Sequence, residues 1–379
     1  MPGMKVGVDL RTVKEGMTGV GQYTWRLTRA LLKSRSDHEV HVFLGKRGVG
    51  PWLEQARDLG ARAWTWTLST ESHPWCDLWE QTVLPLWLEY RGFDLFLSGT
   101  FLLPWWSRKV RRVFVVHDMI AFLFPETMPN GFAAYSRWCT RWSSKRSDRI
   151  IVNSLNTMRD LERFVPETKG KTVLVYAGLE DRDVISWKEG LDSDGTGNDF
   201  MREPFFLSVG TDPRKNLSFL VEVYLEARQS CPDLPKLVLV GGETKESGKI
   251  REQLRRRSAQ EYVEFVGYLS ARQLAEAYAR AYLFLFPSLY EGFGYPPLEA
   301  MKARTPVITS NRGSMAEVVA DAGLLLDPRD RSGWRESMVR LWLDREYRES
   351  WVVRGMRRAG EFSTERTCRM ILDALEGWR

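Results

Sequence analysis

The feature that most constrains this chain is a rhythm. Short apolar runs recur, and helical patterns separate many of them. Met4–Leu10, Val40–Leu44, DLFLS at 94–98, VFVVH at 113–117, RIIVN at 149–153 and TVLVY at 172–176 are the runs of the first half. Residues 186–202 (SWKEGLDSDGTGNDFMR) interrupt the rhythm with Gly, Asp and Ser and few core candidates, the composition of a linker or surface loop. It then restarts with Phe205–Val209, Leu237–Gly241, Tyr262–Val266, Tyr282–Phe286, Pro306–Thr309 and Leu324–Leu326. Repeated strand–helix alternation predicts an α/β chain built on parallel, doubly wound sheets. With 379 residues there is too much chain for one hydrophobic core. Two α/β halves around a hinge near residue 190 are expected. In such sheets ligands bind beyond the carboxyl ends of the strands.

Composition removes several classes. Apolar residues make up 43% and charged residues 27%, as in a globular chain. No apolar run is long enough to cross a bilayer. The opening MPGMKVGVDL passes directly into a strand pattern, so no signal peptide is expected and a cytoplasmic setting is. Cys76, Cys139, Cys231 and Cys368 lack metal or redox spacing and read as reduced thiols. His38 and His41 are too close together for the metalloprotease helix motif. A net charge of +6 suits an anionic ligand or a membrane surface without demanding nucleic acid.

The densest chemistry lies in SLYEGFGYPPLEAM, residues 288–301. YLFLF at 282–286 reads as a buried strand, which makes Pro287–Gly294 the loop at its carboxyl end. Pro296 and Pro297 suit a helix start, where a missing N–H costs nothing. Glu291 then belongs to the loop and Glu299 to the first helical turn. Gly292 and Gly294 let backbone N–H groups approach a ligand closely. The helix N-terminus favours negative charge. Taken singly, Glu299 complements a helix dipole and Glu291 is a solvated loop residue. Together the residues suit a polyhydroxylated, anionic ligand.

The run E-G-F-G-Y-P-P-L-E resembles the signature of the retaining glycosyltransferases of family four, and the stretch from Phe286 to Pro328 is similar to that family almost throughout. The resemblance implies the GT-B architecture, two Rossmann-like domains facing across a cleft. It implies that Glu291 approaches hydroxyls of a donor sugar, that Glu299 binds ribose hydroxyls, and that the backbone of Gly292, Phe293 and Gly294 meets sugar and phosphate. It divides the chain into an acceptor-binding domain at 1–185, a linker at 186–203, a nucleotide-sugar domain at 204–360 and a C-terminal helix at 361–379 packing back on the first domain.

Other stations follow in the family's order. FLSVGTDPRKNLSFL, 206–220, sets Arg214 and Lys215 between a strand and a helix. Fixed cations neutralise a diphosphate as its glycosidic bond breaks. A solvated basic turn is the plain alternative. The stretch resembles the donor-diphosphate loop, with Gly210, Lys215 and Asn216 matching. The family's arginine after the glycine is replaced by Thr211, and Arg214 stands in for it. VVHDMIAFLFPE, 115–126, ends a strand at His117, by itself a core or capping residue; by resemblance it hydrogen-bonds the sugar or acceptor, with Asp118 beside it. Gly19 and Gly21 sit in TGVGQY, a poor dinucleotide fingerprint because no third glycine follows. They resemble the family's N-terminal glycine loop, near phosphate and acceptor. In VEFVGYLSARQLAEAYARA, 263–281, the backbone at Gly267 and Tyr268 would meet the base.

The expected activity is therefore retaining transfer of a hexose from a nucleotide-diphosphate donor to a glycan or lipid-linked glycan, as in bacterial polysaccharide biosynthesis. GDP-mannose is the first donor to expect and UDP-sugars the next. No metal site and no cofactor beyond the co-substrate are expected, nor a nucleic-acid partner. A glycoside hydrolase, a sugar-nucleotide epimerase and a non-catalytic binding protein stay open. Among sixteen tryptophans, several cluster in the first half, with Trp105 and Trp106 beside Arg108–Arg112. Aromatic and basic side chains together suit peripheral contact with the inner face of a membrane, or simple core packing beside a charged turn.

Overall fold

The computed structural model describes residues 3–34, 36–45, 49–65, 73–100, 102–104, 109–179 and 199–377, with the backbone alone for 73–77 and 79. The chain divides into two compact units. Unit 1 comprises Met1–Gly178 with Ser363–Arg379, and unit 2 comprises Leu179–Phe362. Most of the expected linker at 186–203 lies outside the described residues.

Unit 1 runs β1 (Lys5–Leu10), α1 (Gly19–Lys33), β2 (Glu39–Leu44), α2 (Gly50–Asp58), β3 (Arg62–Thr65), α3 (His73–Tyr90), β4 (Leu95–Ser98), β5 (Arg111–Val116), α4 (Ile120–Leu123), α5 (Phe132–Arg146), β6 (Arg149–Val152), α6 (Leu155–Phe164) and β7 (Thr172–Leu174). Its seven strands lie in the order β3-β2-β1-β4-β5-β6-β7, with every pair parallel. Alternate side chains of these buried strands, among them Val6, Val8, Val113, Val115, Ile150 and Ile151, fill the core on both faces.

Unit 2 repeats the plan with β8 (Phe205–Val209), α7 (Leu217–Ser230), β9 (Lys236–Val240), α8 (Lys245–Arg256), β10 (Val263–Gly267), α9 (Ala271–Arg280), β11 (Leu283–Phe286), α10 (Tyr295–Lys302), β12 (Val307–Ser310), α11 (Met315–Val318), β13 (Leu324–Leu326), α12 (Arg331–Leu343) and α13 (Arg345–Gly360). Its strand order is β10-β9-β8-β11-β12-β13, again parallel throughout. Ser208 and the aromatic run Phe205, Phe206, Phe284 and Phe286 are fully buried.

The last helix, α14 (Thr364–Glu376), belongs to unit 1 and packs on α1. Thr367 fixes it: its Oγ1 donates to the Tyr176 carbonyl at 2.9 Å and accepts from Gly178 N–H at 2.9 Å. Ile371, Ala374 and Leu375 are buried beneath it.

Two local readings need correction. The helix after β1 begins at Gly19, so Gly19 and Gly21 are its first turn and not a loop before it. A Cβ on Gly21 would overlap the Thr12 carbonyl and Met17, so the glycine allows the helix start to press against the loop after β1. Likewise α10 begins at Tyr295, capped by Gly294. That moves Glu299 from the first turn to the second, because Tyr295 completes a helical residue that the two prolines alone did not announce. Edge strand β3, RAWT, has a half-exposed pattern that the apolar runs did not reveal.

No described helix is long and apolar enough to cross a membrane. Cys139, Cys231 and Cys368 are free thiols.

Candidate functional site

In unit 2 the strand order reverses between β8 and β11, and the loops following those two strands flank the switch point. This is where open parallel sheets bind ligands. The loop after β8 opens with Gly210 at φ +95°. A Cβ there would meet Lys215 Cε at 2.9 Å, so the glycine both makes the turn and leaves room for the lysine stem. Asp212 caps the short 3₁₀ turn Pro213–Lys215, accepting from Arg214 N–H at 3.0 Å. Asn216 then takes the left-handed conformation (φ 58°, ψ 39°) and donates to the Pro328 carbonyl at 3.2 Å.

This geometry separates the two cations. Arg214 Nε pairs with Asp212 Oδ1 at 2.9 Å within its own turn. Lys215 Nζ instead crosses to the loop after β11 and meets Glu291 Oε1 at 2.7 Å, while lying 4.6 Å from the centroid of the Phe286 ring. Both side chains of that pair are 14% exposed, shielded but still reachable. Ser288 Oγ donates to the same Glu291 oxygen at 2.6 Å. The two loops are also tied by backbone, Leu289 N–H donating to the Arg214 carbonyl at 2.8 Å.

The turn after Glu291 is fixed by Ser314, whose Oγ lies 3.0 Å from the Glu291 carbonyl and 2.6 Å from the Phe293 carbonyl. Gly294 holds φ +103°, and a Cβ there would overlap the end of the Met315 side chain. The ring of Phe293 is buried against Tyr295 and Phe362, so only its backbone faces the loop chemistry. Further along the same sheet edge, Gly267 (φ +69°) accepts from Gly241 N–H at 2.8 Å, and Tyr268 is 87% exposed. A lysine held by a carboxylate beside glycine-lined turns and a helix start can receive a phosphorylated, hydroxyl-bearing ligand.

In unit 1, His117 follows β5 and is 8% exposed. Its Nε2 lies 3.1 Å from the Gly99 carbonyl. A carbonyl only accepts, so Nε2 carries the proton and Nδ1 carries the lone pair. That Nδ1 is buried with no hydrogen-bond partner among the described residues. Burial pushes the imidazole down to about 4, against the weaker pull of the Gly99 carbonyl, and it is neutral near pH 7. Asn153 Nδ2 donates to the His117 carbonyl at 2.7 Å, and Tyr23 packs edge-on to the ring. Asp118 Oδ1 accepts from Ile120 N–H at 2.9 Å at the start of α4.

The family described as Glycosyltransferase Family 4 matches residues 17–182, and that described as Glycosyl transferases group 1 matches 196–358. This chain belongs to glycosyltransferase family 4. The family-4 glycosyltransferase is similar to O-antigen chain mannosyltransferase B of Escherichia coli, 26% identical over 98% of this chain and 99% of that one. It is also 26% identical to O-antigen chain mannosyltransferase RfbU of Salmonella typhimurium, over 60% of each. Its fold matches sucrose-phosphate synthase from Thermosynechococcus elongatus with a TM-score of 0.74 at 20% identity, covering 99% and 98% of the two chains. The fold is GT-B, and the protein is a glycosyltransferase.

Of the sequence-predicted residues of this glycosyltransferase, Gly210, Lys215, Asn216, Glu291, Gly292, Phe293, Gly294 and Glu299 belong to the two switch-point loops of unit 2 and the helix starts that follow them. Arg214 is in the same turn but is engaged by Asp212. Gly267 and Tyr268 follow β10 in the same unit, and Gly19, Gly21 and His117 lie in unit 1. Sequence reading missed Ser288 and Ser314, which hold Glu291 from either side. The first sits three residues before the glutamate in FPSLYEG, a spacing that permits a side-chain contact without demanding one.

Proposed function

We propose that this glycosyltransferase moves a hexose, first of all mannose from GDP-mannose, to a glycan on a lipid carrier, with retention of anomeric configuration and without metal or other cofactor. The observation that carries the reading is the Lys215–Glu291 pair poised over the switch point of unit 2. Mannose is favoured by the printed activities of the two O-antigen relatives. On this reading Lys215 turns its remaining N–H groups to the donor diphosphate. Glu291, whose Oε1 is already engaged by Lys215 and Ser288, offers Oε2 to a sugar hydroxyl. Backbone of Gly210, Gly292 and Gly294 approaches phosphate and sugar. Glu299 holds the ribose, and Gly267 and Tyr268 border the base. Asn216 shapes the turn, and Arg214 adds charge from the shelter of Asp212. His117 accepts a hydroxyl hydrogen bond at Nδ1, near an acceptor bordered by the start of α1 at Gly19 and Gly21.

In the transfer itself, the acceptor hydroxyl attacks the anomeric carbon on the face from which the diphosphate departs. The anomeric C–O bond to phosphate breaks, and the hydroxyl proton passes to the leaving phosphate oxygen. Neither glutamate forms a covalent intermediate. The enzyme works in the cytoplasm, at the inner face of the membrane that holds its acceptor.

Thermal shift against GDP, UDP, dTDP and ADP, with and without EDTA, tests this. One diphosphate at about a hundred times its dissociation constant adds roughly 2.7 kcal/mol of stability. An EDTA-insensitive shift with GDP is expected. A shift confined to UDP replaces the donor. No shift with any diphosphate removes the transferase site assigned here.

A further inference from the structure

The sheet face of unit 1 that carries α3 and α5 has an outer surface that a globular core does not explain. Helix α5 is amphipathic in reverse. Its buried side is Ala133, Ser136, Cys139, Thr140, Ser143 and Ser144. Its outer side carries Arg137, Trp138, Arg141, Trp142 and Lys145, residues at helical spacing that line a surface groove of about 490 Å³. Trp138 is 53% exposed and stacks on Trp142, with ring centroids 5.8 Å apart. The Arg146 guanidinium lies 4.0 Å from the centroid of the Trp142 ring. The helix has four Arg or Lys residues and no Asp or Glu. Among the described residues, Lys145 is the one of the four that meets a carboxylate, Glu167 at 3.3 Å. Neighbouring α6 adds no net sign, since Arg159 and Arg163 balance Asp160 and Glu162.

Helix α3 lies on the same side of the sheet. Its Leu84 and Leu88 pack on Phe96 of β4. Two residues on, Ser98 is in register with Phe114 of β5, so Phe96 and Phe114 share a face. Phe114 packs with Leu103, whose peptide joins the two helices: its carbonyl accepts from Gln81 Nε2 of α3 and its N–H donates to Ser143 Oγ of α5, each at 3.1 Å. Away from the sheet, α3 presents Leu78, Val83, Leu86 and Tyr90, between 47% and 86% exposed. The segment 105–108, where aromatic and basic residues drew attention in the sequence, lies outside the described residues.

An exposed apolar stripe beside a cationic, tryptophan-bearing one is the chemistry of an interfacial surface: the apolar groups enter the acyl boundary, indoles sit at headgroup depth, and cations meet lipid phosphates. The geometry points to the α3–α5 face of unit 1 as a docking surface for an anionic lipid bilayer. Charge selects the occupant, because a second copy of this face would set Arg137 and Arg141 against the same arginines.

The test is co-sedimentation of the full chain with phosphatidylcholine vesicles containing or lacking phosphatidylglycerol, with no sugar nucleotide present, so that the result is independent of the donor site. Binding to the anionic vesicles alone, released by salt, is expected. The double variant R137Q/R141Q should partition about 30-fold more weakly, the effect of two interfacial cations. Leu86→Asp should weaken it about tenfold by removing an apolar contact. All three positions are on the outer surface, and unchanged thermal melting checks the fold. Equal binding to both vesicle types, no binding, or wild-type partition of R137Q/R141Q overturns the proposal. So does a dimer in light scattering that Leu86→Asp disperses.

Discussion

The two units share one strand order through their first six strands but use their switch points differently. In unit 1 the crossing of β1 and β4 is filled by ions. Arg11 grips Asp9 through Nε at 2.9 Å and Nη2 at 2.7 Å, and the same Nη2 reaches Glu80 Oε2 on α3 at 2.7 Å. The two carboxylates are almost fully buried. In unit 2 the corresponding place holds one lysine and one carboxylate, part-exposed, among glycines with positive φ. One architecture therefore supports both a closed electrostatic brace and a part-exposed ion pair among glycine turns. What differs is the carboxylates: Asp9 and Glu80 are shut away from solvent, whereas Glu291 is 14% exposed beside its lysine.

The comparison breaks most visibly at Arg11. Arg11→Met leaves two buried carboxylates without their cation and should cost about 3 kcal/mol or more in chemical denaturation. Loss below about 1 kcal/mol would mean that the triad behaves as a surface pair. Lys215→Ala is the counterpart in unit 2. It leaves Glu291 with Ser288 and some solvent, so stability should change by less than about 1 kcal/mol. Binding of the preferred nucleoside diphosphate should weaken about tenfold or more, the value of a charge-assisted contact. Unchanged affinity by titration calorimetry would remove Lys215 from the site.

The smallest effect sharpens a further contrast: all four histidines lie in unit 1 and none in unit 2. The folded chain holds His117 at about 4, below its ordinary value of about 6.5. Between those values the unfolded chain binds more protons, so the His117 contribution is complete above about pH 6.5 and fades as pH falls toward about 4. His117→Asn should flatten the slope of stability with pH in that window. Identical slopes for both proteins in urea melts at pH 7 and pH 5 would show that His117 is not buried neutral.

Periodicity made most of the fold legible. Twelve of the strands follow from apolar runs, because a strand buried on both faces must be apolar along its length. The edge strand β3 escaped because an edge strand need not be. Within the site, Glu291 and Lys215 were visible as residue types beside strand ends. Their contact was not, since 76 positions separate them. The same holds for Glu80, which nothing near it in sequence links to Arg11.

The sequence by itself determined two α/β units built on parallel strands and the glycine turns, which follow from local backbone chemistry and short-range pattern. Tertiary structure alone decided which charges meet. It gave Arg214 to Asp212, Lys215 to Glu291 and Arg11 to two acids, because sheet order brings together loops that are distant in sequence. It also turned the tryptophans of α5 outward, since the small residues on the opposite side of that helix are the ones that fit against the sheet.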